Sequence, residues 1–145
     1  MSLSESSAFE TVSGPDTLAD IARFIDEVLS THQHVPDTVR MQVSIAAGEI
    51  GANIMEHAGR AQPVSIRMEV RVLIDEVWVE FIDDGAPAEL DLTTIGMPDD
   101  MAERGRGLAL AQSVLEKLTY RRNAKNHWVL VSKRFSQRTL SPEPR

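Results

Sequence analysis

The apolar residues of this chain change their spacing near residue 64, and this change constrains the fold more than any other feature. Before it, apolar side chains recur every three or four residues in two stretches, which predicts amphipathic helices over residues 15–31 and 36–59. After it, apolar and polar residues alternate over residues 64–82, with a turn near Asp75. Alternation of this kind predicts a pair of antiparallel strands with one exposed face.

Shorter patterns complete the predicted architecture. Residues 8–12 suit a short edge strand, residues 105–118 a third helix, and residues 118–122 and 127–135 a final strand pair. The irregular stretch over 85–103 has a length that compact domains use mainly for functional or mobile loops.

The predicted order is strand, helix, helix, strand, strand, loop, helix, strand, strand. It indicates an α+β fold: a two-layer α/β sandwich with a mixed, mostly antiparallel sheet and helices on one face. We expect one domain over residues 8–135, with disordered tails at 1–7 and 136–145.

Composition excludes several kinds of protein. The 145 residues include no cysteine, so disulfides and thiolate metal sites are ruled out. No apolar run reaches the roughly 20 residues of a membrane span, and the N-terminus has no signal pattern, so we expect a cytoplasmic protein. The net charge is −7, with 21 acidic and 7 basic residues over 1–116, which argues against general nucleic-acid binding.

Three polar residues share one face of the second predicted helix. Glu49, Asn53 and His57 follow one another at intervals of four within EIGANIMEH. Such a stripe can mark the solvent boundary of an amphipathic helix, or it can line a site. A zinc site is a weaker alternative, because the second histidine of an H-E-x-x-H motif is missing.

Two further motifs follow the strand pattern. Asp83-Asp84-Gly85 stands at a strand end, where it can form a hairpin turn or place Asp83 to accept a hydrogen bond from an exocyclic amine such as adenine N6. Gly105 and Gly107 stand at a predicted helix start, where they can form a flexible hinge or an anion site.

In order and spacing, these motifs resemble those of the GHKL ATPases. Within that superfamily, the chain is most similar to the bacterial anti-sigma factor serine/threonine kinases. EIGANIMEH matches the N box, DDG the first glycine box and RGRGLALA the second, and the ending LTYRRN…NHWVLVSKRF resembles the last two strands. The resemblance covers about residues 9–135.

The resemblance implies roles for individual residues. Asn53 would ligate the Mg²⁺ of a bound ATP, and Glu49 would be the general base. Asp83 would hold adenine N6, with Gly85 beside the ring, and residues 86–104 would form a lid. The phosphates would be cradled at the start of the third helix, by Gly105, Arg106, Gly107 and Leu108.

The implied function is a partner switch. Such a protein binds a sigma factor and phosphorylates an anti-anti-sigma (STAS-type) protein, without direct contact to nucleic acid or membrane, and it can form a homodimer through its first strand and helix. The alternatives are a non-catalytic partner-binding module of the same fold and the ATPase domain of a sensor histidine kinase. For His57 a structural role at the end of the helix is an equal alternative.

The chain departs from the family pattern at several positions. Ala52 replaces a frequent threonine, and Arg104 replaces a frequent glycine. Asn126-His127 stands where Gly-Thr is usual, which affects one water-mediated contact to adenine. ATP binding is therefore a firmer expectation than catalytic turnover.

Overall fold

The computed structural model describes residues 5–58, 62–88 and 105–136. Three helices and five strands lie within these ranges. In chain order they are β1 (Glu5–Val12), α1 (Thr17–Ser30), α2 (Asp37–Ala58), β2 (Ser65–Val72), β3 (Val77–Asp83), α3 (Gly105–Val114), β4 (Leu115–Asn123) and β5 (Lys125–Ser132). None of the helices in these ranges is both long enough and apolar enough to span a membrane.

The five strands form one sheet in the order β1-β2-β3-β5-β4. All four pairings between the described strands are antiparallel, whereas the sequence predicted a mixed, mostly antiparallel sheet. The strand predicted over residues 8–12 does lie at an edge of the sheet, as β1. The α+β two-layer fold class is confirmed.

The alternation seen in the sequence creates a buried face and a polar face of the sheet. Met68, Phe81 and Trp128 lie side by side on three neighbouring strands, and each is at most 1% exposed. On this face α1 packs against β1 and β2, while α2 packs against β3, β4 and β5. The helices thus form a single layer that buries the apolar side of the sheet.

Helix α2 lies at the centre of the helical layer, packed between α1 and α3. Its Gly51 is buried against α1, where an added Cβ would lie 3.1 Å from Cδ1 of Ile21. The absence of a side chain at this position lets the two helices approach closely. Contact with the sheet and with α1 leaves a third side of α2 facing α3.

The sequence prediction was wrong at the end of the third helix. The predicted helix extends to Leu118, but α3 ends at Val114 and β4 begins at the next residue. Leu115 is buried and pairs with Ser132 of β5, so the sheet ladder takes up residues whose spacing also fits a helix. The strand predicted over 118–122 lies within the longer β4, and the strand predicted over 127–135 begins two residues and ends three residues earlier, as β5.

The predicted N-terminal tail is also shorter in the structure. Residues 5–7 belong to β1, and Glu5 pairs with Val72 in the sheet. Oε1 of Glu5 lies 2.7 Å from Nε2 of His32, which connects the start of the strand to the segment after α1. Much of the predicted lid (residues 89–104) and most of the C-terminal tail (residues 137–145) lie outside the described residues.

Candidate functional site

Asn53 is a buried polar residue on α2. It is 9% exposed and lies between the buried Ile50 and Ile54, which face the hydrophobic core. Its Oδ1 is buried and accepts no hydrogen bond within the described part of the chain. Buried acceptors are almost always paired, so an unpaired one calls for a missing partner.

Glu49 lies one helical turn before Asn53 and contacts the first turn of α3. A methyl group built on Gly107 would overlap the Glu49 carboxylate, because its carbon would lie 3.3 Å from Cδ and closer still to Oε1. Glycine at position 107 therefore allows the carboxylate of one helix to reach the backbone of the next. We call Glu49, Asn53 and Gly107 the helix cluster.

The remaining residues of the second glycine box differ in their surroundings. The side chain of Leu108 is 4% exposed and belongs to the hydrophobic core, so only its backbone could contact a ligand. Arg106 is exposed on the same turn, and Gly105 is the first residue of α3. The buried leucine anchors the first turn of the helix, whose backbone N–H groups have no partner within the helix itself.

Asp83 ends β3 and is 1% exposed. Alternation along β3 places its side chain on the same face as Val79 and Phe81, the face that α2 covers. Its Oδ1 accepts hydrogen bonds from the backbone N–H of Gly85 at 2.9 Å and from Nδ2 of Asn126 at 2.8 Å. The sequence predicted a carboxylate at a strand end, and the structure places it in the protein interior.

The environment of Asp83 shifts its acidity. Burial raises the pKa of its carboxyl group above the ordinary value of 3.8, because an ionised carboxylate loses solvation. The hydrogen bonds from Asn126 and Gly85 oppose this shift by stabilising the charged form, and Arg122 has a smaller effect in the same direction. The negative charge of Asp84 adds to the upward shift.

Three residues near Asp83 were not predicted as part of the site. Asn126 of β5 bonds to Asp83, Tyr120 of β4 donates to Asn126, and Arg122 of β4 donates to the carbonyl of Gly85 at 2.9 Å. The sequence contained one usable signal, which is that Asn126 precedes Trp128 by two residues and so shares its buried face. We call Asp83, Gly85, Asn126, Tyr120 and Arg122 the sheet cluster.

The structure thus groups the predicted site residues into two clusters. Helix α2 carries Glu49 and Asn53 and packs on β3 and β5, which carry Asp83 and Asn126. The side chain of His57 lies outside the described residues, so its proposed place in the stripe stays a prediction.

A cavity of about 400 Å³ lies elsewhere, at the ends of β1, β2 and β3. Its lining includes Glu10, Arg67, Ile82, Asp84 and Lys125, and it contains none of the predicted site residues. Arg67 and Ile82 alternate with buried residues of their strands, so this cavity belongs to the polar face of the sheet.

The residues of the helix cluster fit a magnesium–nucleotide site. Magnesium is usually held by one or two protein oxygens together with substrate phosphates and water. The unpaired oxygen of Asn53 is of the chemical type that magnesium prefers. No group of three or more acidic or histidine side chains in the described ranges forms an alternative metal site. The site fits a metal that arrives with a phosphate ligand.

Two solved structures with a similar fold are domains of histidine kinases. The histidine kinase domain of a blue-light activated histidine kinase from Erythrobacter litoralis EL346 superposes with a TM-score of 0.52 and 18% identity, over 79% of this chain and 58% of that one. The catalytic domain of the histidine kinase ThkA gives a TM-score of 0.52 and 14% identity, over 88% of this chain and 96% of that one. At these identities the similarity shows the fold alone.

The family assignment rests on the sequence as a whole. Residues 11–133 match the histidine kinase-like ATPase domain, and the chain belongs to that family. No curated protein is similar enough to count as a relative. The chain spans 58% of the length of the blue-light activated kinase domain.

Proposed function

We propose that this chain is a cytoplasmic anti-sigma factor that binds Mg²⁺-ATP and phosphorylates an anti-anti-sigma protein on serine or threonine. The observation that carries the nucleotide part is the buried, unpaired Oδ1 of Asn53, one helical turn after Glu49, whose carboxylate lies against Gly107. An unsatisfied buried acceptor costs about 1–3 kcal/mol, and a cation at this oxygen offsets that cost.

The two clusters match the two ends of a nucleotide. The carboxylate of Asp83 accepts a hydrogen bond from the exocyclic amine of adenine, and the buried Gly85 lets the ring lie against the backbone. The first turn of α3 donates backbone N–H groups to phosphate oxygens. Gly107 in that turn lets the Glu49 carboxylate lie close to the same backbone. Mg²⁺, when bound, neutralises charge on the phosphates.

Glu49 is the proposed general base. Its carboxylate is partly exposed and lies against Gly107, so it is close to the proposed phosphate site. In this role it would accept the proton of the serine or threonine hydroxyl as that oxygen attacks the γ-phosphorus, while the bond from that phosphorus to the β,γ-bridging oxygen breaks and ADP leaves. A positioned general base typically contributes about 10²–10⁴-fold to a rate.

Phosphotransfer is tested with radiolabelled ATP and a STAS-type protein encoded near the gene for this chain. We expect Glu49→Gln to lower transfer by about 10²–10⁴-fold while the dissociation constant for ATP changes only a few-fold. Glu27→Gln, at an exposed glutamate on α1, is the matched control and should transfer at the wild-type rate. Undiminished labelling by Glu49→Gln would remove Glu49 from the reaction.

The same experiment separates the three candidate functions. Label that survives acid indicates a serine or threonine ester, whereas acid-labile label indicates a phosphohistidine and the sensor-kinase alternative. Calorimetric heat on adding ATP and Mg²⁺, with no transfer to any acceptor, would favour the non-catalytic module. No heat at all would contradict the nucleotide part of the proposal.

Binding to a sigma factor is the least direct part of the proposal, because it is supported by the family resemblance of the motifs alone. We expect one sigma factor of the source bacterium to bind this chain, and binding to change when ATP replaces ADP. Surface plasmon resonance with each purified sigma factor measures both. If none binds in either nucleotide state, the partner-switching role is wrong even where ATP binding holds.

A further inference from the structure

Asn126 makes more side-chain hydrogen bonds than any other residue of the sheet cluster. Its Nδ2 donates to Oδ1 of Asp83 at 2.8 Å and to the carbonyl of Ala86 at 2.8 Å. Its Oδ1 accepts from the hydroxyl of Tyr120 at 2.5 Å and from the Arg122 guanidinium at 3.0 Å. An asparagine amide offers two donors and two lone pairs, so these four bonds use its full capacity.

Tyr120 and Arg122 extend this network to the segment that follows β3. The hydroxyl of Tyr120 accepts a hydrogen bond from the backbone N–H of Ala88 at 2.9 Å, and its ring packs on Trp128 at a centroid distance of 4.6 Å. The guanidinium of Arg122 donates to the carbonyl of Gly85 at 2.9 Å. Side-chain hydrogen bonds therefore hold residues 85–88 against β4 and β5, although these residues form no regular strand.

The network leaves the two oxygens of Asp83 unequal. Oδ1 accepts from both Gly85 and Asn126, whereas no hydrogen bond reaches Oδ2 from the described residues. Two donors on one oxygen fix the plane of the carboxylate, because rotation would break both bonds. The direction in which Oδ2 points is therefore set by Asn126 as much as by β3.

We propose that Asn126 is a specificity-determining positioning residue, which holds Asp83 so that Oδ2 meets the amino group of a 6-aminopurine nucleotide. This inference rests on the nucleotide binding proposed above. At this position, where Gly-Thr is usual in proteins that the motifs resemble, the side-chain amide of Asn126 donates a hydrogen bond directly to Asp83. A base with a carbonyl at position 6 presents an acceptor to the same oxygen, and two acceptors facing each other repel.

Binding of ADP and of inosine diphosphate to the intact chain tests this inference. We expect the wild type to prefer ADP, and Asn126→Ala to lose about tenfold or more of that preference, the ratio that corresponds to one hydrogen bond to a charged group. Asn123→Ala, an exposed asparagine at the end of β4, is the matched control and should keep the wild-type preference.

The preference between bases distinguishes positioning from a merely structural role, since general loosening would weaken both nucleotides alike. Tyr120→Phe removes one hydroxyl and keeps the ring on Trp128, so it is the variant to measure if Asn126→Ala does not fold. We expect it to lower the preference in the same direction by a smaller factor. Full preference in Asn126→Ala, or in Tyr120→Phe where only that variant folds, would overturn the inference.

Hydrogen exchange without nucleotide provides an independent measurement. We expect the amides of Gly85 and Ala88 to exchange faster in Asn126→Ala, while the amide of Val79 in the centre of β3 stays protected. Unchanged exchange at Gly85 and Ala88 would show that the Asn126 network does not hold this segment in place. A wild type that binds ADP but does not distinguish the two bases overturns only the role of Asn126, whereas a wild type that binds neither overturns the proposed function as well.

Discussion

Replacing Asn53 by leucine should stabilise the protein and abolish its Mg²⁺-dependent binding of ATP. Leucine has the same branching and number of side-chain heavy atoms as asparagine, and it lacks the Oδ1 atom that is buried without a partner. The neighbours Ile50 and Ile54 are at most 3% exposed, so the new side chain meets apolar surroundings. Stability and function should therefore change in opposite directions.

The magnitude follows from the burial of the amide. An unsatisfied buried acceptor costs about 1–3 kcal/mol, and that cost disappears with the oxygen. The gain in the free energy of unfolding should be of the same size. For a chain of this length, it corresponds to a rise in Tm of roughly 3–9 °C.

Urea denaturation and calorimetry with ATP, each with and without Mg²⁺, measure the two effects. Gln42→Leu replaces a partly exposed polar residue on the same helix and is the matched control, with an expected change within about 0.5 kcal/mol and normal binding of ATP. An Asn53→Leu variant that is less stable than the wild type, or that binds Mg²⁺-ATP equally well, would refute the reasoning.

Three further substitutions test separate features. Gly107→Ala should keep or raise the free energy of unfolding, by up to about 1 kcal/mol, because alanine has the higher helix propensity. The same change should lower phosphotransfer because it displaces the Glu49 carboxylate, and thermal melting and transfer assays measure the two effects. The folded state holds the Asp83 proton more tightly than the unfolded chain, so the free energy of unfolding falls as pH rises from 3.8 to the raised pKa. Asp83→Asn has no such proton, so its free energy of unfolding in urea titrations should rise relative to that of the wild type over this window and keep that difference at higher pH. Ala124→Gly should raise the free energy of unfolding by up to about 1 kcal/mol, because Ala124 has a φ of 71°.

The sequence predicted those parts of the fold that depend on long, regular patterns. The apolar stripe of α1 and the alternation in β2 and β3 extend over many residues, so their periods are clear. The end of α3 was wrong because Leu115 and Leu118 fit both a helix and a strand, and only the ladder with β5 decides between them. Pairing with a distant strand cannot be read from local spacing.

The candidate site was likewise predictable only in part. The positions of Glu49, Asn53 and Asp83 follow from helical spacing and from the end of a strand, and their roles stay predictions. Asn126 was noted only as a departure from the family pattern, because two of its partners, Asp83 and Ala86, lie 43 and 40 residues earlier in the chain. A network that joins residues so far apart depends on the order of strands in the sheet, which places β5 beside β3.

The junction between α3 and β4 has a mechanical consequence. Val114 ends the helix and Leu115 begins the strand, so no linker separates them. Any tilt of α3 toward a bound anion must pivot about this single joint and pull on β4. Since β4 carries Tyr120 and Arg122, a movement of α3 at the proposed phosphate site would be transmitted to the residues around Asp83 at the proposed adenine site.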